Sequence, residues 1–561
     1  VFLKRGGGTI MSNTNLKNFN NMYANLAESS YNGRPKNFPP YSANKKFKEF
    51  DYSLNHINRK TKLVETKGGT HLPNNGIVYL QPDKTLHTEE VKTTLQVPNP
   101  NGGYHKESYV TSRYQKGLLT DEKAGFNAYF VTDSPTLSQE TKQTYLAIRG
   151  SDGFGLNTLN DWVENGANFA LTNAYIPQAK LANQALVGKI KDIKRATPNA
   201  TLDVTGHSLA TMVSAQAVAK LYQDNAKAFE KIGKVVLFDG PDVTQSLKQM
   251  GLSDKEIKAV GEKVTYYVNP FDMVSMLNRT APYEAQFGKV SVIVPLNFST
   301  TFDGATSSHD FGEFQIDAHG NPLSASETFH PEMLTAGRKL AKLLDITFSK
   351  VGGTGIKGVA TGVILAALSG GVGALMALGM SALDAKAIYE AFNKAYKGIV
   401  AEAKQKASAW NQAHIPDYQN RIRRASGGQK IELRAELLQS VAQDAIFQSE
   451  AFVSEIKTIM NQGLETVQKE IQAGHQAVHN LATYLDSWEV NALLAEFNLS
   501  AFWDSGLESD TTRAAKAYLR EMSSVSATLM QVSQHIEAVD SEGASGFNQL
   551  MAETQANFGR R

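Results

Sequence analysis

The pattern of apolar positions changes character three times along the chain. Up to about position 123, apolar residues are scattered among Asn, Lys, Gly and Pro. Residues 35–43 read as irregular chain and 98–103 as a turn, so this part predicts loops and short strands. From 124 onwards, short apolar runs bounded by turn residues appear at 128–131, 145–148, 202–204, 235–238 and 264–268. Runs of this length predict buried strands. Stretches with helical spacing alternate with them, at 175–195 (Ile176, Leu181, Leu186 and Ile190 near one face), 212–222 and 245–261. Strands alternating with helices predict the α/β class, with a largely parallel sheet and helices on both faces.

A second change comes at 358–383, a run without charge in which glycines recur at 358, 362, 370, 371, 373 and 379. It is long enough to span a bilayer, and its glycines permit close helix packing. A buried hairpin broken at Ser369-Gly370-Gly371 accounts for the same pattern. From 384 to the end, Ala, Gln, Glu and Lys dominate and proline is nearly absent, which predicts an all-α domain of long helices. Two alternating 3-4 seams stand out there. One runs through Met460, Leu464, Val467, Ile471, Gly474, Val478, Leu481, Leu485 and Trp488. The other runs through Ala515, Tyr518, Met522, Val525, Leu529, Val532, Ile536 and Val539. With Trp503 and Gly506 between them, they predict an antiparallel coiled-coil hairpin.

Composition narrows the function. The 561 residues carry a formal net charge of +2, which gives no case for nucleic-acid binding. The absence of cysteine excludes disulfides, Cys-ligated zinc and a thiol nucleophile. Residues 1–10 read as a translated leader before Met11. No charged n-region, apolar h-region and cleavage site occur in order, so any secretion is expected to proceed without a cleavable signal peptide, by another signal.

The chemistry centres on Gly206-His207-Ser208-Leu209-Ala210, placed between an apolar strand and a helix. This is G-x-S-x-A, one residue from the nucleophile-elbow pattern, in which small residues flank a serine on a strained turn. An ordinary helix N-cap serine would share the position. Ser151, after the 145–148 strand, is a candidate donor of one oxyanion-hole N–H, and Leu209 of the other. A triad needs an acid to hold a histidine. Asp272, after the 264–268 strand, is the favoured acid, with Asp239 and Asp242 as competitors. His309 is the favoured base, with His319 and His330 as alternatives. Asp152 and Asp161 near this region are read as loop braces, so no metal and no cofactor are expected.

Together, LAIRGSD (146–152), DW (161–162), VTGHSLA (204–210), FDGPDV (238–243), YVNPFDMVS (267–275) and SSHDFGEF (307–314) resemble the class 3 lipase family of α/β-hydrolases over roughly 124–335. The resemblance implies that Ser208, Asp272 and His309 form the triad, that Ser151 and Leu209 donate to the oxyanion, and that lipid carboxylic esters are cleaved. Ala210 and Ser151 depart from the usual glycine and threonine. The resulting domains are 11–123 as an extension, 124–350 as the lipase core, 351–383 as the apolar segment and 384–561 as the helical domain. This order resembles type VII-secreted lipase toxins with a C-terminal, reversed LXG-like domain. It implies a lipid membrane as substrate surface, small helical partners on the C-terminal helices, and an immunity protein against the lipase domain. The alternative is an inactive hydrolase scaffold whose helices act as an adaptor.

Overall fold

The computed structural model describes residues 21–32, 34, 36–41, 48–52, 76–150, 175–303, 307–317, 320–354, 364, 367–368 and 370–558. Ser151, Asp152, Asp161, His319, residues 1–10 and Met11 lie outside these, as do 358–363, 365–366 and 369 of the apolar run. The chain divides into two units, Val1–Ala403 and Lys404–Arg561.

The first unit is built on a mixed sheet. Its strands are β1 (Lys48–Asp51), β2 (Ile77–Leu80), β3 (His87–Pro98), β4 (Tyr104–Lys116), β5 (Thr120–Asp121), β6 (Phe126–Thr132), β7 (Gln143–Ile148), β8 (Thr201–His207), β9 (Ile232–Phe238), β10 (Val264–Val268) and β11 (Lys289–Val292). The order β11-β10-β9-β8-β7-β6-β5-β4-β3 continues as a path, and β2 joins β6 to β1. From β7 to β11 every pairing is parallel, while β6 pairs antiparallel with β7. Four of the five buried apolar runs are parallel strands, whose two covered faces leave no place for polar alternation, and the fifth, 128–131, is the antiparallel β6.

Helices α1 (Asn21–Ser29), α2 (Pro177–Ala196) and α3 (Leu209–Asp224) pack on the sheet. Side chains alternate faces along a strand. Tyr145, Ala147, Tyr129 and Val131 accordingly share one core cluster with Met22, Tyr23 and Leu26 of α1. On the opposite face, Lys189 of α2 lies over the Phe130 ring at 5.1 Å. The described part of the N-terminal extension thus contributes a helix to the core, where its composition predicted only loops and short strands. Tyr23 donates a 2.7 Å hydrogen bond to Asp203 of β8, and Thr205 donates to the Tyr23 carbonyl. The 98–103 turn closes a long hairpin, β3–β4, whose strands are mostly exposed along their length.

Helices α4 (Thr244–Gln249), α5 (Asp254–Gly261) and α6 (Met273–Met276) follow β9 and β10, and α7 (Pro331–Gly353) follows the last strand. Arg279, after α6, is fully buried. Its guanidinium donates to the Ser275 and Gly240 carbonyls and to Gln286, and lies 5.0 Å from the Tyr266 ring. It ties the loop after β9 to the loop after β10.

The unit boundary falls within α8 (Ala382–Arg424). Within the second unit, α9 (Gly427–Leu481) and α10 (Ser505–Phe558) are long helices. They run antiparallel, since Ser526 donates to the Ala442 carbonyl and Ser533 to that of Ala435. The predicted seams are followed in part: Met460, Leu464, Val467, Ile471, Gly474 and Val478 form a half-buried stripe on α9, whereas burial on α10 keeps Ala515 but otherwise shifts. On α10, Ala515, Ser526, Met530 and Ser533 are buried, whereas Tyr518, Val525 and Val532 stay exposed. Small residues and hydroxyls that bond directly to backbone fill the centre of the contact, and Tyr518 packs at its margin, its ring 5.6 Å from that of Phe452 on α9. Helix α9 also ends at Leu481, so Leu481, Leu485 and Trp488 do not continue a seam and are exposed. Among the described residues, no helix is long and apolar enough to cross a membrane.

Replacing Arg279 with Ala leaves two buried carbonyls without their donors. The expected loss is about 3 kcal/mol of unfolding free energy, the scale for breaking a buried charged contact. Denaturant unfolding checks this; an unchanged midpoint would show that the two loops hold together without the guanidinium.

Candidate active site

The site begins with a backbone constraint. Strand β8 ends at His207, helix α3 begins at Leu209, and Ser208 between them has φ 60 and ψ −127. A non-glycine residue at positive φ is strained and is held there only by its surroundings. The small neighbours make the turn possible. A Cβ on Gly206 would lie 2.8 Å from the Ala210 Cβ, and one on Gly240 would overlap Thr211. Leu209 opens α3, where the first-turn N–H groups have no acceptor within the helix. Ser151, the other oxyanion-hole candidate, lies outside the described residues.

The turn after β10 supplies the acid. Asp272 caps α6, accepting from the Val274 and Ser275 N–H groups and from the Ser275 hydroxyl at 2.6 Å. Thr301 adds a weaker contact at 3.3 Å. Tyr396 of α8 fixes this region from behind, donating to the Phe271 carbonyl and accepting from the Thr301 N–H.

The structure brings Ser208, His309 and Asp272 into one hydrogen-bonded chain. His309 Nδ1 is 2.9 Å from Asp272 Oδ2, and its Nε2 is 2.9 Å from Ser208 Oγ. A carboxylate only accepts, so the imidazole proton sits on Nδ1 and Nε2 accepts from the serine hydroxyl. Burial works to raise the Asp272 carboxyl, but the imidazole charge and the hydrogen bonds from His309 and Ser275 hold it below its ordinary range. Burial likewise works to lower His309, and the Asp272 carboxylate outweighs it, so its pKa lies above the ordinary value.

Of the competing residues, Asp239 is close but differently placed. It is fully buried at φ 50, and its Oδ1 lies 3.0 Å from the Ser275 hydroxyl that serves Asp272. Burial and the Asp272 charge push its pKa up to about 8, so it is mostly a neutral acid at pH 7. Asp242 is taken up by the Thr244 N–H and hydroxyl. His330 pairs with Glu332 at 2.6 Å, and His319 lies outside the described residues.

Sequence reasoning missed two neighbours. His207, next to the nucleophile, donates from Nε2 to the His309 carbonyl at 3.0 Å, and Tyr31 meets its Nδ1 at 2.9 Å. The histidine of GHSLA was visible as a motif letter, but no pattern in the first hundred residues marked Tyr31. His207, Asp239 and His309 also place ligand-type atoms within 4.8 Å of one another. The imidazole nitrogens of this cluster are already committed to hydrogen bonds with Tyr31, the His309 carbonyl, Asp272 and Ser208. A cation would have to displace these bonds, so the donor set does not fit a resident metal.

No protein-family model matches the chain, and no curated protein matches it. One solved structure does, described as a serine protease triad forming the catalytic centre of a triacylglycerol lipase. It is 17% identical, with a TM-score of 0.21, and the match covers 30% of this chain and 63% of that one. A likeness of that size carries no argument about activity, and the weight rests on the hydrogen-bonded chain itself.

The two imidazoles should titrate apart. His309 is expected above the ordinary histidine value and His207, driven down first by burial and then by the His309 charge, well below it. Ring NMR titration checks the order. Asp272→Asn removes the carboxylate that raises His309, so its midpoint should fall; an unmoved midpoint would show that the pairing does not set it.

Proposed function

We propose that this protein is a serine hydrolase on an α/β-hydrolase-like domain, cleaving carboxylic esters of lipids. The single observation that carries the proposal is the Ser208–His309–Asp272 chain on a strained strand-to-helix turn. In the reaction, Ser208 Oγ attacks the ester carbonyl carbon while His309 Nε2 takes its proton. Asp272 stabilises the imidazolium, which stays oriented by the same hydrogen bond. The Leu209 N–H, with that of Ser151, receives the oxyanion at the helix N-terminus. His309 then protonates the departing alcohol, leaving an acyl-enzyme. A water deprotonated by His309 attacks the acyl carbon, the fatty acid leaves, and Ser208 regains its proton.

The lipid nature of the ester rests on the resemblance of the motifs between 146 and 314. Export by a type VII-like route, helical partners on the second unit and an immunity protein belong to the proposal as well. They rest on the order of the segments alone. The exposed Tyr518, Val525 and Val532 on α10 are the side chains such helical partners would meet.

Purified protein is tested on a panel of glycerolipids and phospholipids beside Ser208→Ala. Fatty-acid release should fall by a factor on the order of 10⁶ in the variant, the scale seen when a triad nucleophile is removed. Labelling by a fluorophosphonate should vanish with it. Intact protein that releases no fatty acid and takes no label at Ser208 would support the inactive-scaffold reading instead.

A further inference from the structure

We propose that His207 is a positioning residue for the base, and that it carries the hold of the N-terminal segment onto His309. This rests on the hydrolase reading above. Three observations support it. First, His207 Nε2 lies 3.0 Å from the His309 carbonyl oxygen. A carbonyl only accepts, so the proton must be on Nε2 and Nδ1 must be an acceptor. Burial, with the His309 charge next, disfavours the cation, leaving this neutral tautomer. Second, Nδ1 is met by the Tyr31 hydroxyl at 2.9 Å, with the His207 carbonyl 3.2 Å from the same oxygen. The Gly150 backbone closes the other side of this hydroxyl, since a Cβ there would overlap both Tyr31 and the His207 carbonyl. Third, the His207 ring is packed against those of His309, at 4.7 Å, and Phe311, at 4.6 Å.

The result is a continuous set of bonds from Tyr31 through His207 to the backbone of the base. A second link runs parallel to it, because Arg34 pairs with Asp310, the residue after His309, at 3.1 Å. Both links arise just after α1. Asp239 also lies beside His207, 3.8 Å from Nε2, and Asp310, Arg34 and Asp272 act on the ring through their charge; none of them bonds the His309 carbonyl. The side chain of His309 is fixed by Asp272, but its main chain belongs to a loop between β11 and α7. A hydrogen bond to its carbonyl sets where the imidazole pivots. Catalysis by a general base is sensitive to such placement, and an error of about 1 Å costs on the order of 10²-fold.

The test follows the rate of Ser208 modification by a fluorophosphonate, together with kcat and KM on an ester, in the full chain. His207→Phe keeps the ring and removes both bonds; labelling and kcat should fall about 10²-fold while KM changes little. His207→Gln restores a donor towards the carbonyl and an acceptor towards Tyr31, and should recover most of the loss. Tyr31→Phe removes one hydroxyl and should cost roughly 10-fold by the same reasoning. A residue that only fills the core would lose stability in His207→Phe without rescue of kcat by Gln. His207→Phe and Tyr31→Phe that label at the parent rate would overturn the proposal, provided His309→Ala is silent. If His309→Ala labels normally, the hydrolase reading itself fails. Should His207→Phe not fold, Tyr31→Phe decides, alongside nitrogen NMR of His207: an Nδ1–H tautomer is incompatible with the assignment.

Discussion

A carboxylate without access to water must be surrounded by donors or it will not remain charged. Asp272 is such a group, and much of the first unit is arranged around keeping it ionised. Its own helix contributes two N–H groups and a hydroxyl, and His309 contributes the ring N–H. The arrangement is selective. Asp239, one strand away and equally buried, lacks that set of donors and sits beside a negative charge, so it gives up its own ionisation. Two carboxyls of the same type at the ends of adjacent parallel strands thus shift in opposite directions, one held down by the imidazole and its donors, the other pushed up by burial and by its neighbour's charge.

The turn that presents Ser208 is held by steric fit rather than by charge. Gly206 and Ala210 let strand and helix approach, and Gly240 does the same from the neighbouring strand. Around this rigid centre lie elements distant in sequence. Tyr31 and Arg34 reach in from the N-terminal segment, and Tyr396 from α8. Each acts through polar contacts made by one side-chain group: Tyr31 on His207, Arg34 on Asp310, and Tyr396 on Phe271 and Thr301. The site therefore depends on the extension and on the start of the helical region, although neither carries a residue of the hydrogen-bonded chain.

The second unit follows another rule. Buried on α10 are Ala515, Ser526, Met530 and Ser533, and two of their hydroxyls bond across to carbonyls of α9. A seam chosen by hydrophobicity alone shares Ala515 with that face but leaves Tyr518, Val525 and Val532 exposed at its margin. Close backbone approach favours small side chains, and a donor that reaches a neighbouring carbonyl satisfies itself without solvent.

By itself the sequence determined the alternation of strands and helices, the strand before Ser208 and the helix after it, and the small residues at 206 and 210. These are local properties, written in period and residue size. It also narrowed the acid and base to short sets, since each had to follow a strand in order. Which members of those sets meet was decided only by the tertiary structure. Parallel pairing brings the ends of β8, β9 and β10 side by side, and the loop carrying His309 closes over Asp272 rather than presenting His330. The roles of Tyr31 and Tyr396 were likewise beyond any pattern, because a single hydroxyl reaching across more than a hundred residues leaves no periodic trace. The same holds for the phase of the helical seam, which depends on how closely two backbones can approach.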